Sequence, residues 1–192
     1  MTTHKKILDL ISNHISPDKE ETERVTALFE PFSCEAGTLL EKEGKTAKYL
    51  YFVNSGFIRT FHFMEGSEIT THINCPPGFI TSFHSFISET PAFDNVEAVT
   101  SADLLRITKQ NLDLLYGQSN GWAEFGRAVY EKSLGYNEAR SRDMITLSAE
   151  QRYLKLLEKQ PEIVRNVPLK YISSFLGIEP QSLSRIRRKI TS

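Results

Sequence analysis

A chain of 192 residues, 40% hydrophobic and 24% charged with a net charge of −1, has room for one substantial globular domain and a small second one. No stretch approaches the roughly 18 apolar residues of a membrane span, and the opening Met1-Thr-Thr-His-Lys-Lys6 lacks the apolar run of a signal peptide, so no membrane partner and a cytoplasmic location are expected. The two cysteines, Cys34 and Cys75, form no CxxC and no cysteine/histidine cluster at zinc spacing; buried thiols, with no metal, are expected.

Residues 3 to 15 place Ile7, Leu8, Leu10, Ile11 and Ile15 on a helical stripe, and Ser16-Pro-Asp18 caps a second short helix through Val25, Leu28 and Phe29. His4 and His14 read as surface residues. From Phe32 to Ile107 the period changes. Short β-like runs, Thr38–Leu40, Tyr49–Val53, Phe57–Phe63, Glu68–Asn74, Val96–Thr100 and Leu104–Ile107, are separated by turns at Gly44, Asn54–Gly56, Glu65–Ser67 and Pro76–Gly78. Phe57, Arg59, Phe61 and Phe63 alternate with Ile58, Thr60 and His62, and the regular turn spacing predicts an antiparallel roll of roughly 75 residues.

After Ile107 the pattern turns helical. Leu112, Leu115 and Tyr116 close a short helix, residues 117 to 121 break it, and a longer helix carries Trp122, Phe125, Val129, Ser133 and Tyr136 at three- and four-residue steps. Ser148 with Gln151 forms a capping box that opens a further helix of Tyr153, Leu154, Leu156 and Leu157, ended by Pro161. The stretch from Ser141 to Ser148 is then a hinge.

The last quarter is the most specific. Ile172, Ser173, Leu176, Ile178, Leu183 and Ile186 are apolar or small where two crossing helices must bury them, and Gly177 falls where the turn between them needs φ > 0. Pro180 suits the first position of the second helix, with Glu179 as its N-cap. On that helix Leu183, Ile186 and Ile190 share one face, while Gln181, Ser184, Arg185 and Arg188 share the other. Glutamine pairs bidentately with adenine and arginine with guanine in the major groove, so Gln181, Ser182, Ser184, Arg185, Arg188 and Lys189 are the candidate DNA contacts, the basic end with Arg187 meeting phosphates. Any amphipathic helix pair with a glycine corner and a solvated basic end shares this pattern. Charge favours DNA: six Lys/Arg less one acid over residues 165 to 192 give +5, and the total of −1 leaves −6 elsewhere.

Gly37-Thr-Leu-Leu-Glu-Lys-Glu-Gly44, Tyr49-Leu-Tyr-Phe-Val-Asn-Ser-Gly56, Pro77-Gly78, Glu97-Ala98 and Leu104-Leu-Arg-Ile107 resemble the sensor domain of the Crp/Fnr family of bacterial transcription regulators. Gly177-Ile-Glu-Pro-Gln-Ser-Leu-Ser-Arg-Ile186 is similar to that family's DNA-reading segment, so the resemblance spans nearly the whole chain. It implies an α+β fold: an N-terminal antiparallel β-roll, jelly-roll-like, with flanking helices; a long dimerisation helix; and a C-terminal helix-turn-helix, here expected without the full wing that many members carry after it, since the sequence departs from them by stopping at Ser192. The corresponding spans are 1–118, 119–144 and 145–192. The helix bearing Trp122, Phe125, Val129 and Tyr136 would pair with its twin, unless that stripe packs on the roll of its own chain.

The sequence departs from the family where ligand chemistry would sit. Cyclic-nucleotide binders of this family hold phosphate with an arginine and ribose with a glutamate just after the Pro-Gly turn. Here no Lys or Arg occurs between Arg59 and Arg106, and no Asp or Glu between Glu68 and Glu89. Phe79, Thr81, Ser82, Phe83 and Ser85 are candidates to line a pocket for a less charged ligand, or the phenylalanines, with Phe86 and Phe93, fill the roll. Two cysteines exclude the four-cysteine iron–sulfur version. Haem ligation through His62, His72, His84 or Cys75 competes with the ordinary roles of lone strand histidines, and no cofactor is assigned.

These readings converge on a non-enzymatic, sequence-specific regulator that binds a palindromic site as a homodimer, with RNA polymerase and a small-molecule effector as further expected partners. Two rivals are a cupin-like β-barrel enzyme, disfavoured by the lack of any His-x-His, and a cyclic-nucleotide-type domain serving protein interaction alone.

Overall fold

Among the described residues, 3–117 and 120–191 of the computed structural model, eight strands pair antiparallel into two four-stranded sheets. The first has the order β1 (Glu30–Cys34), β8 (Ala102–Thr108), β3 (Tyr49–Ser55), β6 (Gly78–Ile80). The second runs β2 (Leu39–Glu41), β7 (Asn95–Ala98), β4 (Ile58–Met64), β5 (Ser67–Asn74). Period-two alternation splits β3 and β8 between two cores. Tyr51, Val53 and Leu104 meet Ile58, Val96 and Ala98 between the sheets, whereas Leu50, Phe52, Leu105 and Ile107 face the helices. The antiparallel roll is thus present. Sequence patterning misses β6 and the helix α3 (Phe83–Ser88), which are too short to show a period, and β1, which carries Pro31 and has no buried residue.

The helical layer over the first sheet consists of α1 (Lys5–Ser12), α2 (Lys19–Leu28), α4 (Lys109–Tyr116) and the start of α5 (Asn120–Thr146). Asp18 caps α2 reciprocally with Glu21, which satisfies two orphan donors. His4 is buried rather than exposed, its Nε2 lying 2.7 Å from the Phe29 carbonyl oxygen. That bond ties α1 to the end of α2. No helix among the described residues is long and apolar enough to cross a membrane.

The long helix corrects two expectations. It runs unbroken from Asn120 to Thr146, so the expected hinge of 141–148 contracts to the single step from Leu147 to Ser148, the N-cap of α6 (Ala149–Lys159). No proline interrupts residues 120–146, and Leu147 N–H still bonds the Asp143 carbonyl, so nothing stops the helix sooner. Secondly, the stripe expected to form a dimer seam packs on its own chain. Trp122 and Phe125 are 2% and 6% exposed within the core that also holds Phe52, Phe86, Leu105 and Leu115, and Val129 packs against the same cluster. Tyr136 is partly buried against the C-terminal core, its ring 5.3 Å from that of His72 in β5. Aromatic residues on a helix seek the nearest large apolar surface, and here the roll supplies it. The opposite side of α5 exposes Leu134 at 60% and Ile145 at 86%.

Past Ser148 come α7 (Pro161–Asn166), α8 (Leu169–Leu176) and α9 (Pro180–Thr191). Pro161 ends α6 as expected and also opens α7, a helix not anticipated. Tyr153, Leu156, Ile163, Val167, Ile172, Phe175, Leu176, Ile178 and Leu183 form the C-terminal core, joined by Phe57 and Ile73 of the roll.

The two faces of α5 differ in what they contribute to folding. Trp122→Ala should lower stability in denaturant unfolding by about 3–5 kcal/mol, the usual cost of deleting a large buried aromatic. Leu134→Ala should stay within about 0.5 kcal/mol for the isolated chain. Equal effects from the two substitutions would show that the roll is not what Trp122 packs against.

Candidate nucleic-acid interface

The turn between α8 and α9 is set by Gly177, with φ +61° and ψ +43° in the left-handed region. The Ile178 N–H reaches the Ser173 carbonyl at 2.9 Å and the Gly177 N–H the Ser174 carbonyl at 3.0 Å, so the end of α8 is closed. Arg152 of α6 secures the turn from behind, donating from Nε to the Leu176 carbonyl at 2.9 Å and from Nη1 to the Leu147 carbonyl at 2.6 Å. Ile172, Ser173, Leu176, Ile178 and Leu183 are buried and Ile186 is partly so, as the spacing predicts. Helix α9 begins at Pro180, and the Leu183 N–H bonds the Glu179 carbonyl.

With Leu183 inward, Gln181, Ser182, Ser184, Arg185, Arg188 and Lys189 are all exposed on α9. The Ser184 hydroxyl donates back to the Pro180 carbonyl at 2.9 Å, and Lys189 Nζ lies 3.1 Å from both carboxylate oxygens of Glu150. Lys189 is therefore engaged by α6, and Arg185, Arg187 and Arg188 are exposed beside it.

Sequence reasoning missed how this unit is held to the roll. Arg59 of β4 is 1% exposed. Its Nε donates to Glu97 at 2.7 Å and one Nη to Glu68 at 2.7 Å, while the other Nη lies 3.3 Å from the Thr70 hydroxyl. Its Cζ sits 3.9 Å from the centroid of Phe61 and 3.7 Å from that of Tyr171 on α8. Beside it, the Ser174 hydroxyl donates to the Glu68 carbonyl at 3.1 Å and accepts from the Thr70 N–H at 2.8 Å. β5 is an outer strand of its sheet, so Ser174 completes backbone groups that no strand pairs. A register shift between Thr60 and Phe61 leaves Thr71 unpaired, which sets Thr70 opposite Phe61 and Ile73 opposite Arg59. A buried arginine beside two strand carboxylates has no signature at fixed sequence spacing.

The candidate pocket residues fall elsewhere. Thr81 Oγ1 donates to the Tyr49 carbonyl at 2.7 Å; Ser85 Oγ donates to the Thr90 carbonyl and accepts from the Ala47 N–H at 2.8 Å. Ser82 is buried at the start of α3. Phe79 and Phe83 pack toward α5, and the void they border is about 20 Å³, room for about one water. The expected ligand-sized pocket at Phe79–Ser85 is thus filled by aromatic side chains. Phe93 is 69% exposed and does not help fill the roll. Neither basic residue flanking the stretch is free for a phosphate there: Arg59 is clamped as above, and Arg106 pairs with Glu30 at 3.2 Å over the rings of Phe32 and Tyr49. The described residues contain no group of three His, Cys, Asp or Glu that could hold a metal ion.

His72 lies where β5, α5 and the C-terminal unit converge. Burial, followed by the nearby Arg140 guanidinium, pushes its pKa down to about 4. The folded pKa is below the unfolded value of about 6.5. As pH falls through this window the unfolded chain takes up a proton that the folded chain refuses, so stability is lost on acidification. Tyr136, Arg140 and the cross-strand Thr60 adjoin the ring and supply no anion to compensate. Going from pH 7 to pH 5 should cost roughly 1–2 kcal/mol more in the parent than in His72→Phe. Parallel denaturation curves for the two proteins at both pH values would contradict this account.

Comparison with known proteins adds the following. Residues 31–119 match the family model described as cyclic nucleotide-binding domain. Comparison with curated protein sequences gives no match. Among solved structures, FixK2 from Bradyrhizobium japonicum is 17% identical with a TM-score of 0.74, over 85% of this chain and 84% of that one. CLP from Xanthomonas campestris, a c-di-GMP responsive global regulator, is 19% identical with a TM-score of 0.66, over 91% and 92%. The catabolite activator protein of Thermus thermophilus is 18% identical with a TM-score of 0.56, over 92% and 84%. Roll, long helix and C-terminal helices together make the Crp/Fnr fold.

Proposed function

We propose that this chain is a transcription regulator of Crp/Fnr type that reads DNA through α9 and works as a homodimer. The observation that carries the reading is the exposed row of Gln181, Ser184, Arg185 and Arg188 on a helix set at its angle by the Gly177 turn. Such a helix presents its first turns to base edges while its basic end meets backbone phosphates. The fold likeness to FixK2 and CLP supports it. Because Trp122 and Phe125 are committed to the roll, the dimer seam is assigned to the opposite side of α5, where Leu134 and Ile145 are exposed.

Selection of bound sites from random DNA tests this. The parent should select a palindrome whose half-sites lie about 34 Å apart. Arg185→Ala and Gln181→Ala should each weaken specific binding by roughly 1–3 kcal/mol and relax the preference at one base pair per half-site. Single half-sites would reject the dimer, and unchanged selection by both variants would reject the reading face. Weak binding with steep salt dependence and no sequence preference would instead favour an interaction module.

The family's usual ligand is a poor fit to the roll. A cyclic phosphate buried among Thr81, Ser82 and Ser85 would lack a cation, at a cost of several kcal/mol. Calorimetry with cyclic AMP and cyclic GMP should therefore show no binding at micromolar concentrations. Low-micromolar affinity that disappears in Ser82→Ala would place a working phosphate site at the start of α3.

A further inference from the structure

A cavity of about 350 Å³ lies between the C-terminal half of α5 and helices α6 and α8. Tyr136 and Ala139 wall it on one side, and Leu156, Phe175 and Leu176 on the other, so its body is apolar. Its polar fringe is unbalanced: Arg140, Arg152, Lys155 and Lys159 line it with one acid, Asp143. Most of these charges have partners. Lys155 holds Asp143 at 2.6 Å, Lys159 meets Glu158 at 3.1 Å, and Arg152 donates to the carbonyls behind the turn.

Arg140 is different. One Nη donates to the Phe175 carbonyl at 2.6 Å and the guanidinium lies over the Phe175 ring at 4.5 Å, but Nε is buried with no hydrogen-bond partner. Buried side-chain donors rarely go unpaired. A guanidinium keeps its charge and carries five N–H donors, so an anion beside it gains a charged contact even where Nε itself is shut off. Burial also holds Arg140 below its ordinary pKa, partly offset by Tyr136, as for a cation short of solvation. The volume falls in the range of small-molecule sites, about 300–1,000 Å³.

We propose that this cavity binds an amphipathic small-molecule anion, its apolar body against Leu156, Phe175 and Leu176 and its carboxylate, sulfonate or phosphate head on Arg140. The site differs from the Phe79–Ser85 segment and draws its walls from both sides of the step at Leu147–Ser148. Met144 at its edge reaches the turn: a Cβ placed on Gly177 would lie 2.6 Å from Met144 Cε. An occupant would therefore set the angle of α8 and α9 against the long helix. The binding stands without the DNA-reading proposal; only that consequence rests on it.

The test uses the full chain with two fluorescent probes of similar aromatic body, anionic 8-anilinonaphthalene-1-sulfonate and neutral N-phenyl-1-naphthylamine. The anionic probe should bind once per chain and at least about tenfold more tightly than the neutral one, a charge-assisted contact being worth that much. Arg140→Met should abolish this preference while leaving the neutral probe unchanged, and Ala139→Trp, which fills the space, should abolish both. Absence of saturable binding, equal affinity for the two probes, or undiminished binding to Ala139→Trp would overturn the proposal. So would loss of the anionic probe as protein concentration is raised through self-association, since a second copy would then occupy the cavity. If Arg140→Met fails to show a cooperative melt, Ala139→Trp decides alone.

Discussion

One guanidinium pressed between two aromatic rings joins the parts of this molecule. Arg59 belongs to the roll, Tyr171 to the C-terminal unit, and Phe61 backs the pair from the roll side. With 1% of its surface exposed, Arg59 has lost its hydration, and the carboxylates of Glu68 and Glu97 replace it. An arginine so placed is strongly oriented, because moving it would strand a buried charge at a cost of about 3–5 kcal/mol. Tyr171 contributes a face to Arg59 rather than a counter-ion, while its neighbour Lys170 reaches Glu68 at 3.5 Å and Ser174 bonds the β5 backbone. The geometry of the contact is therefore fixed from the roll side, where both carboxylates lie. Glu68 shares in this: desolvation raises its pKa, but the hydrogen bond and charge of Arg59 win and hold it below the ordinary carboxylate value.

The long helix serves two surfaces at once. Trp122 and Phe125 fasten its first half to the roll, and Tyr136 and Arg140 pass its second half to the C-terminal unit. The outer face left exposed is of mixed polarity, with Leu134 and Ile145 among charged neighbours.

Much of this was legible in the residues, and the failures have a common cause. Short β-like runs located six of the strands, the Ser148–Gln151 box located α6, and Gly177 with Pro180 placed the start of α9. Each of those signals is local. The identity of the surface that an apolar stripe meets is not local, and so Trp122 and Phe125 were assigned to a partner chain. Segment 79–85 illustrates the same limit: its hydroxyls look available in sequence, yet Thr81 donates to the Tyr49 carbonyl and Ser85 accepts from the Ala47 N–H, groups that only the roll brings near. Arg59, Arg140 and Arg152 were invisible as a set because they draw on strands and helices far apart in the chain.

Ser174 carries a consequence beyond holding α8 in place. By occupying the Thr70 N–H and the Glu68 carbonyl it covers the outer margin of β5. An uncovered margin of that kind is a template on which a strand from another molecule can grow. Without α8 that margin would lie open, next to the ring of Phe63, which is 56% exposed. The packing of α8 on β5 thus doubles as protection against strand-to-strand aggregation.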